Sequence, residues 1–504
     1  MCGIAAIYGA PDAAAGKRML ERLEHRGPDD DGSVAVGRAW LGHRRLSIVD
    51  VDGGHQPLVG ARGDVYLVGN GEVYNHEDIR SLLPGDHFRT SSDNEVALHL
   101  VERDGPGALA ELNGMFAFVI AGEDGRFLAA RDPVGIKPLY WAHHEGRVVF
   151  ASEMAAFDPE LRGHIATFPA GCYWTPETGV VQFATAVPAD AREDRPAAGD
   201  RADALTATRE ILVDAVERQM MGDVPVGVFL SGGLDSSLVA AIAQRYLRER
   251  GQCLKTFAVG LQGSPDLLAA RVAAEYLGTE HHERVYTAEE ATSTLPGVVA
   301  SIEAFDPSLV RSAVPNNMLA KFTAEHVKVV LTGEGADELF AGYEYMRDYT
   351  DAGELHAELV RSVEGLHNLN LQRCDRVTMA HGLEARVPFL DRKVIDLALR
   401  LPAEWKLSCH GVPEKQLLRE AFEGWLPHDL LWRDKSQFGD GSGAASVLTA
   451  PFTDSISEGE LEAERYAIDP ALRTREELAY FRIFREHLGE DVRPEQTLGR
   501  FATA

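Results

Sequence analysis

The second residue is a cysteine, and initiator methionine is normally removed before so small a side chain. Cys2 would then carry both a thiol and a free α-amine. The thiol is a nucleophile, and the neighbouring amine can accept its proton with no histidine required. Alone this is weak, because a cysteine followed by an apolar run also fits a buried first strand. A second group with chemical potential is Phe229-Leu230-Ser231-Gly232-Gly233-Leu234-Asp235-Ser236-Ser237. Its glycines let the backbone fold around an anion, and a helix starting there would present free N–H groups and a favourable dipole. Ser231, Ser236 and Ser237 add hydroxyls. Asp235 would repel phosphate unless a cation lies between, so the pattern points to a magnesium-bridged phosphate. The plainer reading of Asp235 is an acid in a first helical turn. No GxxxxGK[ST] occurs, which excludes the usual γ-phosphate loop.

These groups need elements to hold them. Short apolar runs bounded by Gly, Asp or Asn predict strands at 65–68, 115–120, 148–150 and 179–183. Residues 224–230 form a continuous apolar run suited to a strand buried on both faces. Leu234, Leu238, Ile242 and Tyr246 then give the following helix one core-facing stripe. A second buried strand is predicted at 327–331, and it too ends in a Gly-rich turn, Thr332-Gly333-Glu334-Gly335. Two such turns at strand ends make the ligand crevice of an open parallel sheet.

The chain has 504 residues, which fits two domains. Residues 2–185 read as strand-rich, 186–206 as an Ala-, Asp-, Arg- and Pro-rich linker, and 207–504 as helix-rich α/β. The formal charge of −28 argues against a nucleic-acid or anionic-membrane surface. Cys2, Cys172, Cys253, Cys374 and Cys409 are dispersed without a CxxC pair, so neither a zinc knuckle nor a disulfide framework is expected. No apolar stretch of about 18 residues and no signal peptide are visible, and a cytoplasmic location is expected.

Six further segments accompany Cys2: His25–Asp29, Arg45–Asp50, Asn70–Asn75, Ser92–Glu95, Asn113–Phe116 and Arg131–Tyr140. With these, residues 2–185 closely resemble class II glutamine amidotransferases. That resemblance implies an α+β N-terminal-nucleophile hydrolase domain, an αββα sandwich. It implies that Cys2 attacks the glutamine amide and that Asn70 and the Gly71 N–H form an oxyanion hole. Arg45 would pair with the glutamine α-carboxylate and Asp93 with its α-ammonium, and Leu46, Ser47, Ile48, Val49 and Glu72 would complete the pocket. The sequence departs from many members at Ala155, where they carry lysine.

SGGLDSS resembles the pyrophosphate loop of ATP pyrophosphatases, which form an adenylate. With Ser264–Arg271, Leu331–Glu338, Arg373–Arg376, Glu384–Asp391 and Trp432–Gly441, the second part resembles the asparagine synthetase family. The implied fold is an α/β ATP-pyrophosphatase domain with a parallel sheet and many helices. Leu230, Ser231, Gly232, Gly233, Asp235, Ser236, Val259, Thr332 and Gly333 are the implied ATP contacts. Glu334 and Lys435 are implied catalytic residues, Asp235 and Asp337 ligands of Mg2+, and Lys415 a further phosphate candidate. Asp337 and Glu338 also fit a plain helix start. The implied reaction is amidation of a carboxylate, foremost aspartate, through an acyl-adenylate. The nitrogen comes from glutamine, and a homodimer is the family expectation.

Asp306 and Arg311 are the acceptor candidates. Leu309 stands where the family commonly has threonine, so the segment Asp306–Ala313 leaves open a different acid, as in relatives that amidate specialised metabolites. A lactam-forming enzyme would leave the glutaminase set without purpose. A non-catalytic scaffold disagrees with the complete set of reactive residues, and a sugar- or nucleotide-amidating enzyme disagrees with SGGLDSS.

Overall fold

The computed structural model describes residues 2–83, 88–194, 199–407, 413–435, 441–499 and 501. Among the described residues, twelve strands build the N-terminal part: β1 (Gly3–Tyr8), β2 (Asp30–Val36), β3 (Ala39–Arg45), β4 (Leu58–Val59), β5 (Val65–Val73), β6 (Gly114–Gly122), β7 (Phe127–Arg131), β8 (Tyr140–His144), β9 (Arg147–Ala151), β10 (Ile165–Thr167), β11 (Cys172–Thr175) and β12 (Gly179–Gln182). They form two antiparallel sheets, in the orders β10-β8-β9-β1-β3-β2 and β12-β11-β7-β6-β5-β4. Ile4, Ala6 and Leu41 of one sheet meet Val68, Ala117 and Val119 of the other in a shared apolar layer. Alternation then turns Ala5 and Ile7 outward onto Met19 and Leu20 of the helix Ala13–Arg22. Leu67 and Phe118 turn the opposite way, onto Val96 and Leu100 of the helix Glu95–Asp104. The layers are therefore helix, sheet, sheet, helix, as expected for the αββα sandwich.

The C-terminal part is organised on an all-parallel sheet, β15-β14-β13-β16-β17. Its strands are β13 (Val226–Phe229), β14 (Lys255–Leu261), β15 (Glu280–Tyr286), β16 (Val329–Leu331) and β17 (Glu384–Arg386). β13 and β16 are each shorter than their apolar runs, because pairing of the two begins at Val226↔Val329 and leaves the preceding residues outside the ladder. The helix Leu234–Arg248 follows β13. Leu234, Leu238 and Ile242 of the expected stripe are buried, while Tyr246, near its end, is only partly covered. The helix Arg201–Arg218 starts inside the Asp- and Arg-rich stretch, where Asp200 caps it by accepting from the Ala202 N–H at 3.2 Å.

The two parts share an apolar core: Met154 and Phe157 pack in the same cluster as Ile302, Phe305 and Phe484. Buried charge also crosses the junction. Arg26 binds Glu153 at 2.7 Å and Asp375 at 2.9 Å, and Arg376 binds Glu153 at 2.8 Å and Glu303 at 2.9 Å. Glu303 further accepts from the Met154 and Ala155 N–H groups at 2.9 and 2.6 Å. Ala155 thus joins the junction through its backbone. Among the described residues, no helix is long and apolar enough to cross a membrane.

Candidate functional site

Cys2 immediately precedes β1 and is buried. Its backbone nitrogen donates to Asn70 Oδ1 at 3.0 Å, and its carbonyl accepts from Arg26 Nε at 3.0 Å. Burial pushes the thiol up, opposed by the Leu46 N–H, which donates to the sulfur. Asn70 is fully buried, and its Nδ2 donor has no hydrogen-bond partner among the described residues. A buried amide donor left unpaired beside a nucleophile marks the place where an oxyanion would sit. Gly71 follows at φ +142°, and a Cβ there would come within 1.9 Å of the Met115 carbonyl oxygen, so the position requires glycine.

The remaining glutamine candidates gather around this pair. Asp93 accepts from the Val73 N–H at 2.6 Å and from Asn94 Nδ2 at 3.0 Å, which fixes its carboxylate. Arg45 donates to the Val49, Asp50 and Val51 carbonyls, so its guanidinium shapes the loop that carries Leu46, Ser47, Ile48 and Val49. Asp29 accepts from the Ser47 N–H at 2.8 Å. Glu72 is buried and held well above the usual carboxylate range by desolvation and by Glu384 and Asp93, with Arg386 opposing.

A second site lies at the ends of β13, β14 and β16, in a cavity of 820 Å3. Leu230, Ser231, Gly233, Asp235, Ser236, Val259, Thr332 and Gly333 all line it. Gly232 supports the turn from behind: at φ +72°, a Cβ would lie 2.5 Å from the Ala269–Ala270 backbone. Its carbonyl accepts from Arg433 at 3.2 Å. Ser231 and Ser236 hydroxyls lie 3.1 Å apart across the turn, while Ser237 is buried beneath it. The two Gly-rich turns touch, since a Cβ on Gly333 would lie 2.8 Å from Asp235 Cβ.

Lys415 is buried between two carboxylates, 2.5 Å from Asp235 and 2.6 Å from Asp337. It also adopts φ +58°, a left-handed conformation uncommon outside glycine. Burial opposes its charge, but Asp235 and Asp337 raise its pKa; Asp337 is lowered in turn, as Lys415 and Lys435 outweigh its burial. Lys435 reaches Asp337 at 2.5 Å and the Gly342 carbonyl at 3.0 Å. Residues 436–440 of its motif, and Cys409, lie outside the described residues. Asp235 Oδ1 is buried without a hydrogen-bond partner among the described residues. Two adjacent carboxylates with a free oxygen suit a hard cation whose other ligands are phosphate oxygens and water.

Glu334 faces the cavity and pairs with Arg373. Burial raises its pKa, Arg373 opposes, and Asp337 and Asp235 add to the rise. The acceptor candidates separate. Arg311, Ser308 and Ser312 line the cavity, with Arg311 held by Glu476 at 2.9 Å through Nε. Asp306 does not line it. Its carboxylate caps the helix Pro307–Ala324 by accepting from the Ser308 and Leu309 N–H groups, and it binds Arg473 at 3.0 Å. Asp306 is therefore a buried capping residue rather than a free pocket group, a correction to its reading as an acceptor ligand. Leu309 is also turned into the core, fully buried, so the lost hydroxyl is not lost from the cavity.

Tyr343, Asn370 and Glu338 escaped the sequence reading as cavity residues. Tyr343 and Asn370 both donate to Glu338, which burial and Asp337 raise to about 7. Tyr343 follows the short helix Ala336–Phe340, and Asn370 opens the helix Asn370–Met379.

The profile described as "Glutamine amidotransferase domain" matches residues 1–168, and that described as "Asparagine synthase" matches 207–353 and 347–491. The chain is 40% identical over 511 aligned residues to the Escherichia coli (strain K12) protein named asparagine synthetase B (glutamine-hydrolyzing), covering 96% of this chain and 91% of that one. It is 40% identical to asparagine synthetase (glutamine-hydrolyzing) 2 of Oryza sativa subsp. japonica, over 88% of this chain and 78% of that one. It is 41% identical to asparagine synthetase (glutamine-hydrolyzing) 2 of Arabidopsis thaliana, over 88% and 79%. With a buried N-terminal cysteine beside an unpaired amide, a phosphate-type turn in a parallel sheet, and likeness along nearly its whole length, the chain belongs to the family of glutamine-hydrolysing asparagine synthetases.

Proposed function

We propose that the protein converts aspartate to asparagine with glutamine nitrogen and ATP, releasing glutamate, AMP and pyrophosphate. Residues 2–185 form the glutaminase, 186–206 the connection and 207–504 the synthetase. The observation that carries this reading is the helix Asn370–Met379, which stands between the two sites. On one side it gives Arg373 to Glu334; on the other it gives Asp375 to Arg26, whose Nε holds the Cys2 carbonyl.

In the glutaminase, Cys2 Sγ attacks the glutamine amide carbon and the thiol proton passes to the Cys2 α-amine. The tetrahedral oxygen takes hydrogen bonds from Asn70 Nδ2 and the Gly71 N–H. Collapse to the thioester expels ammonia, and water releases glutamate. Arg45 and its loop, with Asp93, hold the α-carboxylate and α-ammonium ends. In the synthetase, an aspartate carboxylate oxygen attacks the α-phosphorus of ATP. Pyrophosphate leaves toward the Ser231–Ser236 turn. Magnesium, held by Asp235 and Asp337, would supply charge neutralisation at the phosphates. Ammonia then attacks the acyl carbon and AMP leaves. Glu334, its basicity raised by burial, accepts a proton from the incoming nitrogen. Lys415 and Lys435 offset negative charge around the phosphates, and Arg311 with Ser308 and Ser312 meets the acceptor.

Small molecules are the only partners this reaction needs. A cytoplasmic location, a homodimer and the absence of nucleic-acid or membrane partners belong to the same reading.

The test is an acceptor screen with glutamine and Mg–ATP, following AMP, pyrophosphate and glutamate. Aspartate-dependent AMP formation is expected. Turnover of another acid, with none of aspartate, contradicts the acceptor assignment. Cys2→Ala is expected to abolish glutamine use and spare ammonia-dependent synthesis; loss of both contradicts the two-site division.

A further inference from the structure

β17 lies at the edge of the synthetase sheet beside β16, and its alternation turns Glu384 and Arg386 to the same side. That side is the glutaminase. Arg386 is fully buried, and its guanidinium is divided among groups from three parts of the chain. Nε donates to Glu384 at 2.5 Å, and Nη1 donates to the Gln219 and Met221 carbonyls at 2.7 and 2.5 Å. Nη2 stands 3.5 Å from Glu72 Oε1. Neither Nη2 nor Glu72 Oε2 has a hydrogen-bond partner among the described residues, and the buried Tyr74 hydroxyl nearby in sequence is also unpaired.

The Gln219–Met221 segment leads directly to the other wall of the glutamine pocket. The Asp223 N–H donates to the Ile48 carbonyl at 2.9 Å, and Asp223 Oδ2 accepts from the Asp50 N–H at 2.7 Å. The backbone of Arg386 faces the opposite way. Its carbonyl accepts from the Thr332 N–H at 2.9 Å, and Thr332 begins the Gly-rich turn at the ATP cavity.

We propose that Arg386, a synthetase residue, is a positioning residue for glutamine hydrolysis. Its guanidinium sets Glu72 and, through Gln219–Asp223, the Ile48–Asp50 wall, while its backbone ties that setting to the ATP turn. A shift of Thr332 when ATP binds moves the carbonyl it is bonded to, and with it the fork that faces Glu72. The linkage is reciprocal: if ATP changes glutamine affinity through Arg386, glutamine changes ATP affinity by the same factor. The planar fork cannot be replaced by a lysine point charge, which reaches Glu72 or the two carbonyls but not both.

This inference rests on the glutaminase assignment above. The experiment compares Arg386→Met and Arg386→Lys with the parent protein, measuring KM and kcat for glutamine with and without Mg–ATP and aspartate, and ammonia-dependent synthesis separately. Arg386→Met is expected to raise the glutamine KM by at least about tenfold and to abolish its response to Mg–ATP. Ammonia-dependent synthesis should stay within about threefold of the parent. Arg386→Lys should fall between the two. An unchanged glutamine KM, or an equal fall in both activities, overturns the proposal. Where Arg386→Met does not fold, the KM of Arg386→Lys decides on the same terms. Glutaminase activity surviving in Cys2→Ala would instead remove the underlying site assignment, whatever Arg386 does.

Discussion

At the scale of single residues, Lys415 is the clearest case of a group doing two things. It neutralises Asp235 and Asp337, which would otherwise repel each other and any phosphate. Removing one partner of a buried charge set typically costs about 3–5 kcal/mol, because the partners remain buried without compensation. Lys415→Met is therefore expected to melt at a lower temperature in EDTA. Magnesium should recover part of the loss, since the cation takes the place between the two carboxylates. A melting temperature indifferent to magnesium would count against Asp235 and Asp337 as its ligands. Sequence pointed to Asp235 through the turn it occupies, but Lys415 lies 180 residues further on with no motif of its own. Only the folded chain shows that both carboxylates share its ammonium.

At the scale of elements, the helix Pro307–Ala324 decides how much weight the departure at Leu309 carries. Its first two turns send Ser308, Arg311 and Ser312 to the cavity and Leu309 into the core. A threonine hydroxyl at 309 would be buried without water, at a cost of about 1–3 kcal/mol unless it found a partner. Leu309→Thr should thus lower the melting temperature and leave the aspartate KM unchanged. A several-fold drop in that KM would restore Leu309 as a specificity residue.

Strands β5 and β6 and the turn after β13 were readable from sequence, because short apolar runs and glycine punctuation are local signals. The helix phase at Leu309 and the capping role of Asp306 were not. An Asp one residue before Pro307 looks the same whether it binds a ligand or caps the helix. What decides is Arg473, 167 residues away, which occupies the carboxylate.

At the scale of the whole molecule, the junction must do more than adhere. In the proposed two-site scheme, ammonia is useful only if it reaches the adenylate before solvent, where most of it is protonated at neutral pH. The buried set Arg26, Glu153, Arg376, Glu303 and Asp375 holds the two halves in one register around the helix Asn370–Met379. Glu303 takes the Met154 and Ala155 N–H groups and Arg376 at once, so Glu303→Gln weakens several contacts together. Expected is a rise in glutamate formed per asparagine above one, with glutamine hydrolysis itself retained. A ratio held at one would show that the halves stay in register without this charge.

The most direct test of the account follows the nitrogen itself. The protein is given glutamine labelled with 15N in its side-chain amide, aspartate, Mg–ATP and unlabelled ammonium, and the products are read by mass spectrometry. The account predicts asparagine carrying the 15N in its side chain despite the competing ammonium, with one AMP and one pyrophosphate per asparagine. Labelled ammonia free in solution with unlabelled asparagine, or glutamate formed with no aspartate-dependent AMP, would contradict it.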